Sequence, residues 1–75
     1  MVRFTLKDVM KAVSMRLDLD PCDPIQEISC IANEYWGSDG FLIRNGYNLI
    51  DEEEQVGMRI SEGDVIELIP DPISL

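Results

Sequence analysis

The sequence from residue 40 to residue 70 reads GFLIRNGYNLIDEEEQVGMRISEGDVIELIP, and it decides the fold of this 75-residue chain. Asn45-Gly46 lies between two apolar runs, which predicts a tight β-hairpin, because a two-residue type I′ turn needs positive φ at both central residues. A second turn is expected at residues 61–64. The run that follows it, residues 65–69, is rich in branched side chains and is stopped by Pro70. The pattern predicts strand, hairpin, strand, acidic loop and strand.

The first half of the chain predicts two strands and a helix. Residues 2–7 and 13–19 alternate apolar and polar side chains, as the two strands of an antiparallel hairpin do. A helix is expected next, with Asp23 as its N-cap, Pro24 at its first position and a glycine, Gly37, at its C-terminal end. Its apolar stripe comprises Ile25, Ile28, Ile31, Ala32, Tyr35 and Trp36.

The element order is therefore β-β-α-β-β-β. One helix can cover only one face of a sheet, so the fold class is α+β, a mixed sheet with the helix packed on one face. The first and last strands can pair in parallel at the centre, because a long crossover separates them. We expect one domain over residues 1–69 and a flexible C-terminal tail over residues 70–75.

This order resembles the ubiquitin-like β-grasp superfamily over residues 2–69. Within it, the Asn45-Gly46 hairpin, the acidic loop and the Ser61-Glu62-Gly63-Asp64 turn most resemble the small sulfur carriers of molybdopterin and thiamine biosynthesis, the MoaD/ThiS type. Those carriers end in Gly-Gly, whose terminal carboxylate is adenylated. Residues 70–75 read PDPISL and contain no Gly-Gly. The resemblance therefore implies the fold, but this tail disfavours the carrier activity.

The resemblance also implies a binding surface, since ubiquitin-like proteins bind partners through the sheet face opposite the helix. Strand alternation points Leu42, Ile66 and Leu68 toward the helix and leaves other apolar side chains on that outer face. The predicted protein-binding residues are Phe41, Ile43 and Ile69. The alternative is that they are scattered apolar residues of an ordinary surface.

The composition restricts the kinds of partner and chemistry. With 15 acidic and 6 basic side chains the net charge is −9, which disfavours nucleic acid and anionic membrane and favours a protein partner with a basic or apolar surface. The chain has no histidine and no pairing of a nucleophile with a base, so we expect no enzyme activity, no cofactor and no metal site. The acidic run at residues 51–54 is interpreted as a solvated loop, with a basic partner or a hard cation as alternatives.

The cysteines and the N-terminus indicate the compartment. Cys22 and Cys30 are spaced too far apart along one helix axis for a disulfide, so both are expected to be free thiols in a reducing environment. The first residues, MVRFTLKDVM, contain no apolar signal segment, and we expect a cytoplasmic protein.

The sequence thus predicts a non-enzymatic protein-interaction domain. A sulfur carrier or ubiquitin-like modifier is one alternative, and an accessory subunit of a larger enzyme complex is another. The partner, the pathway and the oligomeric state stay open.

Overall fold

A five-stranded mixed sheet with one long helix against one face makes up the computed structural model, which describes residues 1–71. The strands are β1 (Val2–Asp8), β2 (Val13–Leu19), β3 (Phe41–Asn45), β4 (Asn48–Ile50) and β5 (Val65–Pro70). The helices are α1 (Gln26–Trp36) and the short α2 (Val56–Arg59).

The sheet order is β2-β1-β5-β3-β4, with β1 parallel to β5 and every other pair antiparallel. This confirms the predicted α+β class and the parallel pairing of the first and last strands. The fold is that of a ubiquitin-like β-grasp. Strand β5 extends to Pro70, which pairs with Phe41, so it runs one residue past the predicted domain boundary. Residues 72–75 of the predicted tail lie outside the described residues.

The core is a single apolar cluster between the sheet and α1. Ile66 and Leu68 of β5 are 0% and 1% exposed, as their predicted inward orientation requires. Two residues at α2 close the end of the cluster under the acidic loop, Val56 and Ile60. The remaining members are Phe4, Leu6, Ile25, Ile28, Ala32, Ile43 and Ile50.

The predicted start of the helix is wrong. Helix α1 begins at Gln26, and the N-cap position is held by Ile25, which is already helical and makes no side-chain capping bond. Pro24 instead forms an isolated β-bridge with Gln55, and the Asp23 C=O accepts a hydrogen bond from α2. These tertiary contacts hold Asp23 and Pro24 outside the helix, against their local capping preference.

The C-terminal end of α1 follows the sequence more closely. Gly37 adopts a left-handed φ of 66° and its N–H donates to the Asn33 C=O, which ends the helix as predicted. Lys11 Nζ donates to the Trp36 C=O and so places a cation at the negative end of the helix dipole. Tyr35, predicted to lie in the apolar stripe, is 70% exposed, because its position in the last turn of α1 does not face the sheet.

The β3–β4 hairpin turns one residue later than predicted. Asn45 pairs with Asn48, which leaves Gly46 and Tyr47 as the two turn residues. Only Gly46 has a positive φ, 64°, the pattern of a type II′ turn rather than the predicted type I′ turn. Asn45 Nδ2 donates to the Asp64 carboxylate at 3.0 Å, which keeps Asn45 in the strand.

Helix α2 packs closely against the loop that precedes α1. The Gly57 N–H donates to the Pro21 C=O at 2.9 Å, and a Cβ added at Gly57 would lie 2.6 Å from the Pro21 Cβ. Such a distance is well inside van der Waals contact, and a proline ring cannot rotate away from it. Position 57 therefore requires glycine for its small size.

Replacing Gly57 with alanine is expected to lower the free energy of unfolding by about 1–3 kcal/mol, because this overpacking outweighs the gain of up to about 1 kcal/mol in helix propensity. Urea denaturation measures the change. Met58→Ala is the control, since Met58 is 76% exposed in the same helix and its loss should change stability by less than about 0.5 kcal/mol. A Gly57→Ala protein as stable as the wild type would contradict the close packing.

Candidate functional site

The outer face, defined as the face of the sheet opposite α1, is built from alternate residues of neighbouring strands. Directly paired residues share a face, and Glu67 of β5 pairs with both Lys7 of β1 and Arg44 of β3. The buried neighbours of Glu67 in β5, Ile66 and Leu68, face the helix. The same pairings assign to the outer face the residues Thr5, Lys7, Leu42, Arg44, Leu49, Val65, Glu67 and Ile69.

The predicted outward orientation of Phe41 and Ile43 is wrong. Ile43 is 3% exposed and pairs with Leu68, which is itself buried. Phe41, two residues earlier, shares that face and is half-buried against the core. Residues 41–43 are all apolar, so pairing with β5, and not the sequence pattern, decides which of them faces inward. Leu42 takes the outward position that was predicted for its two neighbours.

Apolar side chains occupy several positions of the outer face. Leu42 lies directly opposite Ile69, which faces outward as predicted, and both are half-buried. Val65 and Leu49 are 47% and 53% exposed. Together they give β3, β4 and β5 an apolar surface that has no covering layer within the described residues.

An ion pair divides this apolar surface. Arg44 Nη2 lies 2.8 Å from Glu67 Oε1, and about a third of each side chain is exposed. Pairs at such exposure contribute roughly 0–1 kcal/mol, so a partner can rearrange this one at small cost. The Arg44 Nε is buried without a hydrogen-bond acceptor in the described part of the chain.

A second surface feature lies where β4 ends beside β3. Two adjoining cavities of about 700 and 470 Å³ share Gln26, Phe41 and Glu52 in their walls. The larger one reaches the outer face at Leu42 and Leu49, and the smaller one follows α1. We name the two together the edge groove. Its charged lining residues are Asp39, Asp51, Glu52 and Glu53.

The acidic run at residues 51–54 is a structured loop with local partners for some of its side chains. Asp51 Oδ1 accepts the Glu53 N–H at 2.9 Å, and Glu54 pairs with Arg59 at 2.6 Å. Within residues 1–71, no group of three or more acidic or cysteine side chains is arranged to hold a metal ion. The loop therefore presents separated carboxylates and not a convergent cation site.

The features that bear on the compartment are few. Cys22 and Cys30 are free, as predicted. Both are exposed, and Cys30 lies in the wall of the edge groove. Among the described residues there is no helix with the length and apolar character needed to cross a membrane.

Sequence reasoning missed a buried polar pair at the end of β1. Asp8 and Ser38 are 6% and 4% exposed, and the Ser38 hydroxyl donates to Asp8 Oδ2 at 2.5 Å. The Lys11 N–H donates to the other carboxylate oxygen at 3.1 Å. Burial works to raise the pKa of Asp8, but the hydrogen bonds from Ser38, Lys11 and Met10 together lower it. These hydrogen bonds connect the β1–β2 turn to the segment that follows α1.

Comparison with known proteins gives the fold and little beyond it. No protein-family model and no curated protein matches this sequence. Among solved structures 216 chains match, so the fold is common and by itself names no function. One of them is described as "Crystal structure of ATBAG1 in complex with HSP70", with a TM-score of 0.81 at 18% identity. The match covers 99% of this chain but spans only 42% of that one.

Proposed function

We propose that this chain is a non-enzymatic protein-interaction domain that docks on a partner protein through its outer face. The observation that carries the proposal is the apolar pair Leu42–Ile69 on an uncovered sheet face, beside the half-exposed ion pair Arg44–Glu67. Apolar side chains on an uncovered surface beside polar groups are typical of protein-binding sites. The corrected binding set replaces Phe41 and Ile43 with Leu42 and keeps Ile69.

The chemistry of the face describes the partner. Burying Leu42 and Ile69 favours an apolar contact, and the exposed part of the Arg44 guanidinium can donate to a carbonyl or carboxylate oxygen of the partner. The net charge of −9 adds long-range attraction for a partner with basic residues around that contact. An aromatic or aliphatic anchor with a basic rim is the surface that fits.

The solved structure with HSP70 supplies one partner to test. The region of that chain that corresponds to this one is under half of its length, and the description does not say which part contacts HSP70. Purified HSP70 is therefore a first candidate for direct binding, beside partners captured from a lysate of the source cells.

The test uses Leu42→Arg together with Ile69→Arg. The double variant is expected to weaken partner binding at least about tenfold, because two cations would be forced into an apolar contact. Crosslinking capture identifies partners, and biolayer interferometry with each purified partner, HSP70 included, gives the affinity. The matched control is Tyr35→Arg with Met58→Arg, which adds the same charge at side chains that are 70% and 76% exposed away from the outer face.

Equal affinity of the outer-face variant and the control would contradict docking through this face. Circular dichroism must first show that both variants are folded. Capture of an adenylating enzyme by both variants alike would instead favour the sulfur-carrier alternative. A partner enzyme whose activity changes on binding would identify an accessory subunit.

A further inference from the structure

The edge of β3 is open over its first two residues. Strand β4 pairs with β3 only at Ile43, Arg44 and Asn45. The pairing ends where Ile50, the last residue of β4, lies opposite Ile43. Within residues 1–71 no other strand lies on this side of Phe41 and Leu42, where the edge groove begins. An unpaired strand edge offers main-chain donors and acceptors to another extended segment.

The hydrogen bonds of the neighbouring residues fix which main-chain groups point into the groove. The Gly40 C=O accepts the Asp71 N–H at 3.3 Å, on the β5 side. Successive residues of a strand direct their N–H and C=O groups to alternate sides. The N–H and C=O of Phe41 therefore point away from β5, into the edge groove. The same alternation holds in β5, where the Leu68 C=O turns toward β1 and accepts the Val9 N–H.

The walls of the groove define what can lie there. Phe41, Leu42 and Ile50 supply apolar surface, and every charged side chain of the lining is acidic. The four carboxylates are distributed along the groove and do not converge as metal ligands do. Separated acids along an open strand edge match cations spaced along a chain, because alternate side chains of an extended peptide point to the same side.

We propose that the edge groove binds an extended peptide segment with spaced lysine or arginine residues, which adds as a short strand beside β3. Main-chain bonds to Phe41 give the segment its alignment, and its basic side chains meet Asp39 and Glu53. This second site does not depend on docking through the outer face. The two sites share Leu42 and Leu49, but the edge groove uses the main chain of β3, whereas the docking also uses Ile69, which does not line the groove.

The probe is the synthetic peptide acetyl-Lys-Val-Lys-Val-Lys-amide, titrated into ¹⁵N-labelled protein. Amide shift changes are expected at residues 40–42, with smaller ones at Gln26 and Ser29 across the groove. An N-methylated peptide of the same charge, which lacks main-chain donors at its centre, is expected to bind about fivefold more weakly. Acetyl-Glu-Val-Glu-Val-Glu-amide should not bind.

Two pairs of protein variants distinguish binding in the edge groove from non-specific attraction of a basic peptide by the net negative charge of the protein. Asp39→Asn with Glu53→Gln removes two groove charges and should weaken the lysine peptide about fivefold. Glu27→Gln with Glu34→Gln, on the exposed side of α1, makes the same change in net charge and should leave its affinity nearly unaltered. Ile69→Arg should also leave it unaltered, so this test can succeed or fail separately from that of the outer face.

Three outcomes would overturn the proposal. Equal weakening by the two charge variants would show attraction by net charge alone. Equal binding of the N-methylated peptide would exclude strand addition. Shifts at residues 40–42 that depend on protein concentration without peptide would show that a second copy of this chain occupies the edge.

Discussion

Replacing Ile43 with alanine is expected to lower the free energy of unfolding by about 2–5 kcal/mol, whereas the same change at Leu42 should cost about 1 kcal/mol. Ile43 is 3% exposed and its neighbours across the strands, Leu68 and Ile50, also belong to the core. Truncation there leaves a cavity between the sheet and α1. Leu42 is half-buried on the outer face, where water can fill the space of the lost side chain.

The size of the Ile43 effect is large for this chain. A domain of this length has a stability of roughly 4–11 kcal/mol, so Ile43→Ala should leave it weakly folded. Urea denaturation at neutral pH measures both variants, and an unchanged m-value would show that the denatured state is the same. If Leu42→Ala proved the more costly, the β3 side chains would have the opposite orientation, and Ile43 would return to the outer face.

The same two residues show where sequence reasoning stops. Alternation fixed the orientation of β1 and β2, because polar residues separate their apolar ones. In Phe41-Leu42-Ile43 there is no polar residue, so the pattern does not say which of these side chains face the helix. The orientation of these side chains depends on where the hairpin turn begins, and the Asn45-Gly46 sequence is compatible with a turn that begins at Asn45 or at Gly46. A shift of one residue exchanges the two faces of a strand, which is why the fold was predictable and the membership of the outer face was not.

Other features depend on contacts between residues distant in sequence. The cap predicted at Asp23 obeyed local preference, but a bridge from Pro24 to Gln55 moved the helix start. The edge groove exists because β4 has only three residues, and apolar residues alone do not say where a short strand stops. Asp8 and Ser38 lie 30 residues apart and belong to no motif. For the candidate sites, the sequence predicted the outward orientation of Ile69 and the position of the acidic loop, and little else.

Replacing Asp8 with asparagine is expected to lower stability at pH 7 by about 1.5–3 kcal/mol, the range for hydrogen bonds to a charged group. The carboxylate accepts from the Ser38 hydroxyl and from the Lys11 N–H, and asparagine can replace these two charge-assisted hydrogen bonds only with weaker neutral ones. Ser38→Ala should cost a similar amount, because it removes the 2.5 Å bond and leaves a buried oxygen with fewer donors.

The pH dependence separates this account from a simple packing defect. Folding lowers the pKa of Asp8, so its stabilisation is fully present above the pKa of the unfolded carboxyl and is lost as pH falls through the lower folded value. The stability difference between wild type and Asp8→Asn should therefore stay constant from pH 7 to about pH 5 and narrow below about pH 4. Urea denaturation across that pH range measures this difference in stability.

Asp39→Asn is the control, an exposed substitution with the same change in charge, and its stability should differ from that of the wild type by less than about 0.5 kcal/mol at every pH. A difference for Asp8→Asn that widened as the pH fell would mean that burial dominates and that the carboxyl is held protonated, with Ser38 no longer needed as its donor.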